Sequence, residues 1–360
     1  MRRNGFQIFF LLAAGFLVQV LTCVDAIAGP KPDTVKLVTH QIQLRALPVP
    51  FKRGDADKKV FGKLIWSGGF QIMSPSPYLG VYSGAAISKD GGKLILVSDA
   101  GTWALMALSY QKNRLAPPRS ALVGPLLAKS GKPLFRGRDR DAEAITLLRA
   151  DKFFGKAYVS FEQFHRIGVF SLSKKGLSHP KKYLRLPEIT KRLRGNAGLE
   201  SLAILRGGRL KGSLVAIAQS KQDKAGNFKG WLVRKGKVKP IKFTPPELDT
   251  YRITDAVSLP NGDLILLERR FKFLTVNIRV RYVRQAALLS NRPIEGTVLM
   301  EANSNTHMVD NMEVITAHKN RQGETIITLL SDDNFNSFQK TLILQFALPK
   351  TSLVAARLKN

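Results

Sequence analysis

The chain has 360 residues, 44% hydrophobic, with a single Cys, 29 Gly and 18 Pro, which excludes a disordered or collagen-like chain, a disulfide scaffold and any Cys-based metal site. Lys+Arg 57 against Asp+Glu 26 gives a formal net charge of +31, spread along the whole sequence. That field suits an anionic surrounding, or steers an anionic small molecule or envelope component; no helix-turn-helix, RNA-recognition or finger pattern accompanies it, so nucleic acid is not expected.

Residues 1–28 read as an export signal. Arg2 and Arg3 give a basic start, Ile8 to Val18 is an unbroken apolar stretch, and Ala26-Ile27-Ala28 is the small-x-small pattern of a cleavage site before Gly29. Gln7, Gln19 and Thr22 interrupt the run that the alternative, a retained anchor, would need, roughly 20 mostly apolar residues. A periplasmic or secreted monomer is expected, without cysteine once the signal is removed. No later segment is apolar enough to span a membrane. Residues 29–59 read as an N-terminal segment and 60–360 as the folded domain.

Five variants of one phrase follow. They are Ala85-Ala86-Ile87-Ser88, Glu143-Ala144-Ile145-Thr146, Glu200-Ser201-Leu202-Ala203, Asp255-Ala256-Val257-Ser258 and Glu313-Val314-Ile315-Thr316, spaced 55–58 residues apart. Each is followed by a polar turn and a second strand: Lys93–Val97, Ala157–Ser160, Leu214–Ala218, Leu264–Leu267 and Thr325–Leu330. Third strands are expected at Leu105–Tyr110, Ile167–Leu172, Gly230–Arg234, Asn277–Val283 and Thr341–Leu348. Pro260-Asn261-Gly262-Asp263 carries the Asn-Gly hairpin signal. No long stretch keeps a 3.6-residue apolar period, so helices should be few and short. Antiparallel modules repeated this way suit the blades of an all-β single propeller, five-bladed, its ring closed by N-terminal strands within Val35–Leu44 and Lys63–Met73. A degenerate sixth blade from those strands is the alternative.

In a propeller the first strand of each blade lines the hub and the second runs back beside it. First-strand starts then carry Ala85, Glu143, Glu200, Asp255 and Glu313, and second-strand ends carry Asp99, Glu162, Gln219, Glu268 and Asp332, with Asp333 beside the last. Carboxylates crowded at one mouth need raised pKa values or opposite charge. A hard cation such as Ca²⁺, which takes 6–8 oxygen ligands, would supply it; Glu143, Glu200, Asp255, Glu313 and Asp332 are the candidate ligands. Arg140, Arg166, Arg269 and Arg270, in the same loops, are candidates for holding an anionic substrate group. Glu162, His165 and Glu268 are candidate catalytic acids or bases. The alternative is a ring locked by Arg–carboxylate pairs without any ligand. Asp332-Asp333-Asn334-Phe335-Asn336 alternates oxygen ligands without the Gly and distal Glu of an EF-hand, and reads equally as Asx-turns. Phe335 and Phe338 are expected to cap the blade's core, and Trp66, Trp103 and Trp231 to pack between sheets.

Several runs are similar to the phytase-like family of exported bacterial proteins, described as having the esterase-like activity of phytase. They include Tyr82-Ser83-Gly84-Ala85, Asp141-Ala142-Glu143-Ala144-Ile145, Ser160-Phe161-Glu162-Gln163-Phe164-His165-Arg166, Asn196-Ala197-Gly198-Leu199-Glu200-Ser201, Leu267-Glu268-Arg269-Arg270-Phe271, Asp310-Asn311-Met312-Glu313 and Ser331-Asp332-Asp333-Asn334. The resemblance covers about residues 60–348. It implies a propeller in the envelope or secreted, and calcium-assisted hydrolysis of phosphate or other esters. The chain departs from the pattern where Ala100 follows Asp99 in place of an Arg and where Gln163-Phe164 replaces a basic pair. Both departures remove positive charge from the mouth. No Gly-x-Ser-x-Gly elbow, His-Glu-x-x-His or P-loop is present. The non-catalytic alternative is an envelope propeller that binds an anionic ligand or protein partner on the same face.

Overall fold

The computed structural model describes residues 38–360 apart from 135–136, 150–151, 187–188, 190–192, 194–197, 246–250, 353–355 and 357–360. The expected signal at 1–28 and Asn196-Ala197 of the family-like run lie outside the described residues. Residues Leu37–Asn360 make one compact unit.

Five antiparallel sheets stand in a ring, so the fold is an all-β, five-bladed propeller and the six-bladed alternative falls away. The inner strands are Tyr82–Ile87, Ala142–Leu147, Leu199–Ile204, Arg252–Ser258 and Asn311–Lys319, and the last packs against the first. Second strands run over Lys93–Ser98, Gly155–Phe161, Leu214–Gln222, Leu264–Lys272 and Thr325–Asp332. Third strands run over Thr102–Ala107, Arg166–Ser173, Phe228–Arg234, Thr275–Val283 and Thr341–Leu348. Among the described residues helix is confined to short pieces such as Gly137–Arg140 and Gln285–Leu289.

Inner strands show no apolar–polar alternation because both of their faces are covered. Ala142–Leu147 and Leu199–Ile204 are buried throughout. Alternate residues point to the preceding and the following blade, so each blade junction has its own apolar cluster. In blade 5, Val314 packs with Leu94 and Leu96 of blade 1, whereas Ile315 packs with Ile265 and Leu267 of blade 4. The three tryptophans are buried in these junctions, as expected.

The N-terminal strands close the ring on both sides of one seam. His40–Gln43 is the outermost strand of blade 1, paired with Ser120–Pro125. One residue later, Arg45–Pro48 has crossed to blade 5, where it pairs with Leu64–Met73, which in turn pairs with Thr341–Leu348.

Every inner strand carries a β-bulge at the same place, where it enters from the mouth face. The ladder slips between Tyr82 and Gly84, Ala142 and Ala144, Leu199 and Ser201, Ile253 and Asp255, and Met312 and Val314. The extra residues are therefore Ser83, Glu143, Glu200, Thr254 and Glu313. A bulge re-aims its side chain and ends regular pairing, and here it turns one residue per blade toward the hub. Where that residue carries a hydroxyl it ties the blades together. Ser83 Oγ donates to the Ala142 carbonyl at 2.6 Å, and Thr254 Oγ1 to the Met312 carbonyl at 3.4 Å. Gly84 is required at its place: a Cβ there would lie 2.6 Å from the Ala144 Cα of the next inner strand.

Candidate functional site

The bulges and the ends of the second strands converge on one mouth. Glu143, Glu200 and Glu313 come from bulges. Glu162 and Asp332, with Asp99, come from the equivalent position closing each second strand. Asp141, just ahead of the blade 2 bulge, completes the group. Carboxylate oxygens of Asp141, Glu143 and Glu162 all lie within 4.8 Å of one another, a geometry that could hold a metal ion. Glu200 hydrogen-bonds Glu162 and is repelled by Glu313, so the acids form an unbroken chain around the hub.

Their environment is dry. Burial is the first cause raising Glu143, and Glu200, Asp141 and Glu162 push it further, well above the usual carboxylate range. Burial, Glu162 and Glu313 do the same to Glu200, opposed by Arg269. Glu162 is also raised by burial, with the Gly198 N–H, donated to Oε1 at 2.7 Å, pulling back. Gly198 is constrained: a Cβ on it would sit 2.6 Å from Glu162 Cγ. Burial first, then repulsion by Asp141, lifts Asp99 to about 7; burial lifts Asp332 to about 8. Two ionised carboxylates at such separations repel by roughly 3.5 kcal/mol at an effective dielectric of 20, which favours their protonated forms.

Positive charge inside the mouth comes from Arg269, which pairs with Glu313 and donates to Asn311 Oδ1, and from Arg140, which faces Asp99. Arg166 and Arg270 sit at the rim. Arg166 donates to the carbonyls of Phe164 and Asp139 and lies 4.0 Å over the Phe161 ring. Arg270 lies 4.6 Å over Tyr251. His165 is half-buried in the turn that follows Glu162.

Two expected residues stand elsewhere because the sequence register of blade 4 slips by one. Arg269, not Glu268, is the counterpart of Glu162, and Thr254, not Asp255, is the bulge residue. Side chains alternate along a strand, so Glu268 points away from the hub. It is fully buried beside Arg281, with Arg279 4.0 Å from its second oxygen. Asp255 lies below the ring, lining a channel of about 300 Å³ that also carries Lys89, Arg206, His318 and Lys319; it accepts the Ile315 N–H at 2.9 Å and the Ala256 N–H at 2.7 Å. In blade 1 the bulge residue is Ser83, two positions before Ala85. Asp332 and Asp333 make Asx-turns, accepting the N–H groups of Asn334 at 2.8 Å and Phe335 at 3.1 Å. Phe335 and Phe338, expected in the core, are 56% and 89% exposed.

Sequence reasoning missed Asp141, although it stands two residues before Glu143, and with it Gln163, whose amide donates to Asp141 Oδ2 at 2.8 Å. Gln163 holds a left-handed φ of 50° immediately after Glu162, a conformation sequence patterns do not announce.

A search against curated proteins returned no significant match. The family described as "Phytase-like: Esterase-like activity of phytase" matches residues 77–335. That span runs from the approach to the first inner strand to the Asx-turn loop of blade 5, and it contains every carboxylate of the mouth. The chain therefore belongs to the phytase-like family.

Proposed function

We propose that the mouth binds Ca²⁺ through Asp141, Glu143 and Glu162, with Glu200 beside them, and that the protein hydrolyses phosphate or other ester substrates there. The observation that carries the reading is the set of three carboxylates within 4.8 Å of one another in a buried setting. Hard oxygen donors and negative charge are what calcium selects, and an excess of buried acids over arginines leaves charge for it to neutralise. Bound there, the ion would polarise an ester oxygen. Arg269 and Arg140 would hold the anionic group of the substrate. Glu200, hydrogen-bonded to Glu162 and pushed up by burial, would give its proton to a leaving oxygen. Consistent with residues 1–28, we place the protein in the periplasm or outside the cell.

A second reading rests on the rim. Arg166 and Arg270 are committed to carbonyls or rings of the protein, which leaves two arginines for a phosphate; a calcium-dependent binding propeller without turnover fits that supply. Aryl phosphate and aryl carboxylate esters, assayed with calcium and with chelator, separate the readings. Calcium-dependent turnover lost in Glu200→Gln supports the hydrolase. Calcium binding without turnover of either ester supports the binding propeller.

A further inference from the structure

Aromatic side chains that the core does not use form a partial crown at the mouth, on blades 2, 4 and 5. Among the described residues every exposed phenylalanine lies in the turns joining second to third strands or at the strand end beside one, on the mouth face: Phe164 in blade 2, Phe271 (the next-to-last residue of its strand) and Phe273 in blade 4, Phe335 and Phe338 in blade 5. Leu274 joins them. Phe273 and Leu274 form the two-residue tip between Lys272 and Thr275 and are 95% and 101% exposed. The crown is continuous with the site, for Arg269, which pairs with Glu313, lies 5.0 Å from the Phe271 ring.

Folding does not account for these residues. Phe273 and Phe335 hold left-handed φ values of 54° and 50°. That conformation costs a side chain about 1–2 kcal/mol, and tight turns normally give it to Gly or Asn. Neither phenylalanine gains burial in exchange. Adjacent exposed apolar groups, as Phe271, Phe273 and Leu274 are in one hairpin, mark a surface for something else.

We propose that this face docks on an anionic lipid surface, with the turn tips seated at the acyl boundary and the exposed Lys224 and Lys272 at the head groups. Charge selects a bilayer over a neutral apolar partner. Lys272 stands exposed beside the tip, the corresponding blade 3 turn carries exposed Lys224 in place of an aromatic, and the chain's net charge is +31. Lys and Arg near an anionic membrane each add about 1 kcal/mol, and aromatic rings prefer the boundary between lipid and water. The docking is independent of whether the mouth turns over an ester.

The test uses the chain without residues 1–28, so that Ile8 to Val18 cannot bind lipid itself; Leu37–Asn360 is a compact unit without that segment. Co-sedimentation with vesicles of phosphatidylcholine plus phosphatidylglycerol is expected, weakening with salt and much reduced on phosphatidylcholine alone. The pair Phe273→Ser with Leu274→Ser should weaken it at least tenfold, since each side chain's transfer is worth about 1.5–3 kcal/mol. Phe273→Trp should show emission that shifts to the blue when vesicles are added. The proposal fails if the parent chain does not sediment with the mixed vesicles. It also fails if the serine pair binds them unchanged or if the new Trp keeps its emission. Concentration-dependent association without lipid, abolished by the serine pair, would assign the crown to a second copy of this chain.

Discussion

Glu268 and Arg269 are neighbours on one strand yet belong to different electrostatic regions. Glu268 faces a blade junction, where it meets Arg281 and Arg279, while Arg279 also donates to Glu301 at 2.6 Å. Charge there is matched within the protein. Arg269 faces the hub, where Glu143, Glu162, Glu200, Glu313 and Asp332 are all pushed upward by burial, and all of them but Glu313 by neighbouring acids as well. A buried ionic group that balances internally is structural; one left with surplus charge of a single sign is waiting for a proton or an ion.

Removing one partner on the balanced side breaks the comparison hardest. Glu268→Gln leaves Arg281 buried without its counter-charge and should cost about 3–5 kcal/mol, read by denaturant titration, while calcium binding by the folded fraction is retained. The mouth responds to pH instead. Asp99 at about 7 and Asp332 at about 8 lie above their unfolded values, so the folded chain binds more protons than the unfolded one between roughly pH 4 and 8. Metal-free stability should therefore be greatest near the acid end of that window and fall as pH rises through it; a midpoint that climbs instead contradicts the assignment. Glu143→Gln sharpens the contrast with Glu268→Gln. It relieves repulsion, so the metal-free midpoint should not fall, whereas the stabilisation calcium gives at a hundred times its dissociation constant, about 2.7 kcal/mol, should vanish. The smallest effect is expected at Gln163→Ala. It leaves the three carboxylates in place but frees Asp141, weakening calcium by roughly 10–100-fold in titration calorimetry, as loss of an outer-shell partner does.

The ring and its blade boundaries were legible because each blade repeats one phrase, and apolar residues on both strand faces write that phrase plainly. Glu143, Glu200 and Glu313 were legible for the same reason. Blade 4 misled because Asp255-Ala256-Val257 imitates the phrase one residue late, and a bulge, which consumes a residue without changing composition, leaves no mark in spacing. Ser83 was hidden similarly, as a small polar residue where an acid was sought. Asp141 was visible but unassigned. The crown was invisible, since Phe335 reads as core until exposure is known.

The seam at residues 40–73 sets an order of events. Leu64–Met73 is made early and can pair at once with Arg45–Pro48, but the neighbour on its other edge, Thr341–Leu348, comes near the end of the chain. During synthesis the blades can form one after another while that second edge stays unmatched, and the wheel locks only when the carboxyl-terminal segment arrives. Loss of Thr341–Leu348 would thus leave Leu64–Met73 and Thr325–Asp332 each with an unpaired edge inside blade 5, so damage at the end of the chain is felt at its beginning.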